Sequence, residues 1–376
     1  MMSKPDDHPE RIITRREFIR TAIGYGMSAA AATTLATQLG FPMAHAAAGQ
    51  LALTFFVFAG GTQPVLPKEV AKNYEKANPN VAIEIYESSN AVTYPKMKAA
   101  RQANPDKPLV NFGYFNTPIT YQGNKDGMWE PLSAERIPNI KDILPQYRRP
   151  NDVGAIFCVS PVGILYHKEK VKTPPTSWTD IWSNKEYKGH VIGFDYLWSY
   201  NGALQSVLLN GGDLAKPDAG FKAIADGADQ FLTLVTSTEQ AINLFAKGDA
   251  WISIFSKGIQ LQMVKAGAPV GFVIPKEGMV VIPLFLQIVQ GTTKEQRPVA
   301  EAIINELLSP ERVAQYCANE GYAPVSTKVR MPAQLAGDPA FQQENIAKAM
   351  NVDWAKLAEQ ESAYRQLWDR TVKARL

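Results

Sequence analysis

Four histidines and two cysteines are all that the chain offers for metal ligation or thiol chemistry. Their spacing suits neither. His167 and His190 have no Cys or His at ligand spacing, and Cys158 and Cys317 stand far apart. No Walker loop, G-x-S-x-G or H-E-x-x-H is present. One dinucleotide-like run, Gly24-Tyr25-Gly26-Met27-Ser28-Ala29, has no strand before it and falls inside a removable N-terminal segment, so it carries no cofactor. What remains is the chemistry of recognition: hydroxyls, amides, aromatic rings and a lysine placed at turns. The sequence predicts a binder rather than an enzyme, with no catalytic residue, metal site or cofactor.

Those groups gather at four breaks between strands and helices. Gly60-Gly61-Thr62-Gln63 precedes a helix, where backbone N–H groups suit a carboxylate or phosphonate. Pro64 and Pro67 remove two donors there, and a plain tight turn is an equal reading. Tyr114 and Asn116 close a strand and supply a ring and an amide. Trp198-Ser199-Tyr200-Asn201 opens a helix with hydroxyl and amide donors, and Trp198 or Tyr200 would serve as an apolar wall or as ordinary packing. Ser256-Lys257 ends another strand, where the lysine would pair with an anion or face solvent.

The elements that must position these turns alternate. The run 51–58 reads as a buried strand, a helix follows from Pro67, and 81–87 alternates as a second strand. Short connections make this a parallel α/β unit. Helix 94–103 and strand 109–115 continue it. Strands at 154–160, 162–166, 190–195, 250–255 and 270–274 form a second region, with helices at 198–209, 239–247 and 259–267. Helices 294–308, 310–320 and 355–375 complete the chain. The fold class is α/β in more than one domain, with ligand loops at the carboxyl ends of strands.

Arg15-Arg16-Glu17-Phe18, an uncharged stretch and Ala44-His45-Ala46 have the order of a twin-arginine export signal, so residues 1–46 are expected to be removed. That segment is too polar for a good membrane span. Its loss takes five Lys/Arg and four Asp/Glu from totals of 39 and 36 and leaves a net charge of +2. Near neutrality gives no support to a nucleic-acid partner. Outside the cytoplasm Cys158 and Cys317 could pair, yet a chain folded before export would equally keep two buried thiols. With no cysteine at the cleavage site, a lipid anchor is not expected.

Several segments in order resemble the periplasmic substrate-binding proteins of ABC importers, in the two-lobed class that holds polyamine, iron and phosphonate binders. The most specific is Val162-Gly-Ile-Leu-Tyr-His-Lys-Glu-Lys-Val171 running into Trp178, Trp182 and Tyr187-Lys-Gly189. Ala266-Gly267-Ala-Pro269, Pro275-Lys276-Glu277-Gly278, Leu308-Ser309-Pro310-Glu311 and Gly321-Tyr322-Ala-Pro324 follow in the family's order. The resemblance implies a type II periplasmic binding protein: two α/β lobes, each a mainly parallel sheet flanked by helices, with the ligand cleft between them. It puts the crossings near residues 157, 280 and 325. Lobe I is then 47–156 plus 280–325, and lobe II is 157–279 plus 326–376. It further implies a periplasmic monomer that closes on a small-molecule solute and docks transiently on a membrane permease.

The resemblance also bears on the cargo. Polyamine binders of this family hold a dication with carboxylates and aromatic walls, but the matching positions here are Ser199, Gly202, Ser256, Ile282 and Leu284. Iron binders use adjacent tyrosines, whereas Tyr196 and Tyr200 are not adjacent. The expected solute is therefore a small anionic or zwitterionic molecule bearing a carboxylate or phosphonate, with Lys257 and the Gly61/Thr62 turn on its anion. A polyamine in an atypical pocket, with Asp195 as one charge, is the alternative. A twin-arginine-exported cofactor enzyme is the alternative of another class.

Overall fold

The computed structural model describes residues 49–148, 154–195, 204, 207–209 and 214–376. The twin-arginine segment and its Gly-x-Gly run lie outside them, as do Trp198, Ser199, Tyr200 and Asn201. Strand β1 (Leu51–Phe58) pairs in parallel with β2 (Val81–Ser88) and β3 (Phe112–Asn116). Helices α1 (Val65–Ala77), α2 (Asn90–Ala103) and α3 (Thr117–Lys125) connect and follow them. Both faces of β1 are covered: Phe55 and Val57 enter one core and Phe56 another. Such a strand must be apolar throughout, which is how its sequence reads. Helix α2 begins at Asn90, four residues earlier than the periodicity suggests, because Ser89 caps it by accepting from the Val92 N–H at 3.3 Å.

One continuous sheet joins the lobes, in the order β2-β1-β3-β10-β5-β8-β6-β7. The long strands β5 (Ala155–His167) and β10 (Val280–Val289) are antiparallel and run through both halves. The first part of β5 pairs with β10 and with the two-residue β11 (Ala323–Pro324); a further short strand, β4 (Trp129–Glu130), pairs with the end of β10 on the same edge as β5. The second part of β5 pairs with β8 (Ile252–Ser256) and β9 (Val270–Val273). Strands β6 (Val191–Phe194) and β7 (Phe231–Val235) extend the second lobe in parallel with β8. Its helices include α4 (Asp218–Asp226), α5 (Thr238–Lys247) and α6 (Lys257–Lys265). Pro161 and Pro283 stand in register with Val281 and Val159 at the crossing, and each lacks a backbone N–H.

Two cores sit on either side of that crossing. The first gathers Phe55, Phe112, Phe157, Phe285 and the inner faces of α7 (Arg297–Leu307) and α8 (Pro310–Glu320). The second gathers Trp178, Tyr187, Phe221, Phe245 and the C-terminal helix α9 (Trp354–Thr371). Beyond residue 325 the chain still serves the first core: Val329, Phe341 and Ile346 pack there, and packing on the second core resumes at Met350 and Val352. No period in the sequence marks this, since the segment is short turns whose partners are all tertiary. The markers Trp178 and Glu277-Gly278 prove to hold each other: the Trp178 indole N–H donates to Gly278 O at 3.0 Å and the Ser177 hydroxyl to Glu277 at 2.5 Å.

Asp195 is spent on the fold. It accepts from the Trp368 indole at 2.8 Å and from Lys373 at 2.7 Å, with Arg365 at 3.7 Å. Burial alone would raise its carboxyl, but the Lys373 and Trp368 hydrogen bonds and the Arg365 charge outweigh this and hold it below the usual value. A depressed carboxyl contributes stability that is present above the ordinary carboxylate range and lost as pH falls through the lowered value. Asp195→Ala removes the acceptor of a buried indole N–H and should cost about 2–4 kcal/mol at neutral pH. Urea unfolding should show this loss, and the gap to wild type should narrow in acid.

Candidate functional site

The carboxyl ends of β1, β3 and β8 and the seam between the two cores define the candidate cleft. After β1, Gly60 (φ 97°) and Gly61 (φ 55°) take left-handed backbone that favours glycine, and the chain enters α1 through Pro64. The side chains of the turn are engaged. The Thr62 hydroxyl donates to one oxygen of Glu320, and the Gln63 amide donates to the other at 2.7 Å. The Tyr316 hydroxyl in turn donates to the side-chain Oε1 of Gln63. The protein's own carboxylate thus takes up these two side chains, while the space beside Gly60 and Gly61 stays open. Burial raises the Glu320 carboxyl above its usual range, and the Thr62 and Gln63 hydrogen bonds offset this only in part. Among the described residues no lysine, arginine or histidine forms an ion pair with it.

Aromatic rings line the floor beneath. Tyr114 stacks on Phe157 at 5.4 Å and meets Tyr316 at 5.5 Å, and Tyr316 meets Tyr322 at 5.7 Å. Tyr114 is fully buried, and among the described residues its hydroxyl has no hydrogen-bond partner. Burial pushes its phenol well up, with smaller contributions from Cys158 and Glu320. Cys158 and Cys317 are both free and buried in this layer. Desolvation, reinforced by a hydrogen bond with Cys317, pushes the Cys158 thiol well up, which makes it a poor nucleophile.

Across the seam Asn116 and Ser256 play matching parts. Each caps the helix that follows its strand: Asn116 accepts from the Ile119 N–H at 3.1 Å and Ser256 from the Ile259 N–H at 3.4 Å. Lys257, the expected anion contact, is buried and pairs with Asp338 at 2.5 Å, its ammonium also 5.1 Å from the centre of the Phe272 ring. The pairing has a simple cause. A desolvated ammonium needs a counter-charge, and the segment folded back onto the first core supplies it. Gly258 then lies against the first lobe. A Cβ there would stand 2.3 Å from Glu320 O, and one on Gly321 (φ 68°) would stand 2.4 Å from Gly258 Cα.

The structure thus brings together Thr62 and Gln63 in one cluster, and Ser256 and Lys257 in another, touching through Gly258 and Glu320. Sequence reasoning missed Glu320, Tyr316 and Asp338. One signal for Glu320 was present: it ends a helix, where the macrodipole disfavours a carboxylate. Among the described residues no group of three or more His, Cys, Asp or Glu is placed to hold a metal ion. None of the described helices is long and apolar enough to cross a membrane.

Solved structures share this architecture. A candidate extracellular solute-binding protein from Bordetella parapertussis matches with a TM-score of 0.73 and 18% identity, over 85% of this chain and 98% of that one. The spermidine/putrescine substrate-binding protein PotD from Streptococcus pneumoniae matches at 0.70 and 17%, over 87% and 100%. AfuA from Actinobacillus pleuropneumoniae, with fructose-6-phosphate bound, matches at 0.66 and 18%, over 87% and 99%. Identities this low establish the shared two-lobed fold and leave the cargo open. No curated protein matches the sequence. The family model described as bacterial extracellular solute-binding protein matches residues 69–343, and the chain belongs to that family.

Proposed function

We propose that this chain captures a small zwitterionic organic solute in the interlobe cleft and delivers it to the membrane permease of an ABC importer. It is exported by the twin-arginine route, works as a monomer in the periplasm and catalyses no reaction. The observation that carries the choice of solute is the Lys257–Asp338 pair. With that lysine neutralised, a purely anionic solute loses its expected cation, while Glu320 stands without a cationic partner among the described residues. A solute with both charges suits this balance. Its acid would face the first turns of α3 and α6, whose backbone N–H groups and dipoles favour an anion, and its ammonium would face the first lobe. A polyamine would need a second carboxylate, and Asp195 is held by Trp368 and Lys373. The cofactor-enzyme alternative gains no support from the family or its structural relatives.

Two measurements test this reading. Ligand stabilises a fold by about 2.7 kcal/mol at a hundredfold excess over Kd, which a thermal-shift panel resolves. Among ω-amino acids, aminophosphonates, diamines and dicarboxylates, the zwitterions should raise Tm. A shift with dicarboxylates alone or diamines alone contradicts the proposal. Closure is tested by Gly258→Ala, which places a methyl group against Glu320 O. Alanine favours a helix over glycine by about 1 kcal/mol, which offsets part of that clash, so the unliganded protein should lose some stability and still fold. Calorimetry should nonetheless show about tenfold weaker binding of the stabilising solute; unchanged affinity would remove this contact from the closing motion.

A further inference from the structure

We propose that Glu320 is the residue that selects the solute's ammonium group, and that Thr62, Gln63 and Tyr316 position Glu320 rather than contact the solute themselves. This rests on the zwitterion reading above and adds to it the group that does the selecting. Gln63 is engaged at both ends of its amide, accepting from Tyr316 and donating to Glu320, so its orientation is fixed. Thr62 serves the opposite carboxylate oxygen. Each oxygen of Glu320 therefore has one neutral donor from the protein and keeps capacity for another, which matches the several N–H donors of an ammonium.

Four further observations point the same way. Glu320 sits at the last position of α8, where the helix dipole opposes its charge, and Gly321 ends the helix behind it with the Tyr322 N–H bonded to Cys317 O at 3.1 Å. A carboxylate that breaks a local rule and lacks a counter-ion marks a functional position more often than a structural one. Tyr322, 5.7 Å from the fully buried Tyr316, is only partly buried, and its ring adds an electron-rich face that favours a cation. Tyr114, buried beside them, carries a hydroxyl with no partner among the described residues. The Glu320 carbonyl also abuts Gly258 of the second lobe, which puts this residue at the seam between the lobes.

The test uses the full mature protein and an ω-amino acid that stabilises it, with its N-acetylated form as the uncharged control. Glu320→Gln should weaken binding of the amine at least about tenfold. It should leave the Tm without solute unchanged or raised, since it removes a desolvated charge. Affinity of the wild type should fall as pH drops toward protonation of Glu320, and that of Glu320→Gln should not. The titratable groups around Glu320 are Tyr316 and Tyr322, Tyr114 on β3 and Cys158 on β5, none of which changes charge in acid. Lys257 and Asp338 across the seam engage each other. Tyr316→Phe should cost less affinity and keep the pH dependence. Equal binding of the amine by wild type and Glu320→Gln overturns this assignment alone. Failure of every amine to bind wild type overturns the solute class, and the assignment with it.

Discussion

Everything in this molecule hangs on two antiparallel strands that belong to both lobes. β5 and β10 carry the sheet from one core to the other, so each lobe is completed by residues distant in sequence. The pairing also limits how the lobes move. Shared strands forbid free separation, and the two packed cores leave the crossing between them as the place for a hinge. The carboxyl ends of β1, β3 and β8, brought to one seam by this arrangement, become the two sides of a cleft.

Charge in that seam is arranged with economy. Lys257 belongs to the second lobe by sequence and to the first lobe by its partner, since Asp338 lies in the segment that packs on the first core. Their ion pair satisfies two desolvated charges at once and draws the start of α6 against the first lobe. Glu320 is treated in the opposite way. It is desolvated and given only neutral donors, a state that costs stability and is retained where a ligand supplies the missing charge. The contrast between a matched pair and an unmatched carboxylate, close together, is the physical basis for reading the solute as zwitterionic.

Much of the scaffold could be read from sequence because its causes are local. The apolar run of β1, the alternation of β2 and the helices after Pro310 and before Gly248 follow from periodicity and breakers, and the order of motifs pointed to the family; β5 was legible as two strands, 154–160 and 162–166, that the structure joins into one. Asn116 and Ser256 were legible as turn residues, but their local chemistry is that of helix caps, which takes up the side-chain oxygen expected for a ligand. The rest was hidden because it is tertiary. No spacing rule links Lys257 to Asp338 or Thr62 to Glu320. The return of residues 329–346 to the first core depends on which surface the sheet leaves uncovered, not on a pattern in those residues. Trp198 to Asn201 lie outside the described residues, so the second-lobe helix start stays a reading of sequence alone.

The most direct measurement is a crystal structure of the mature protein with a stabilising zwitterion. The account predicts closed lobes, with the solute's nitrogen within about 3 Å of a Glu320 oxygen and Lys257 still paired with Asp338. A solute whose acid group displaces Asp338 from Lys257, or whose nitrogen lies away from Glu320, would contradict it.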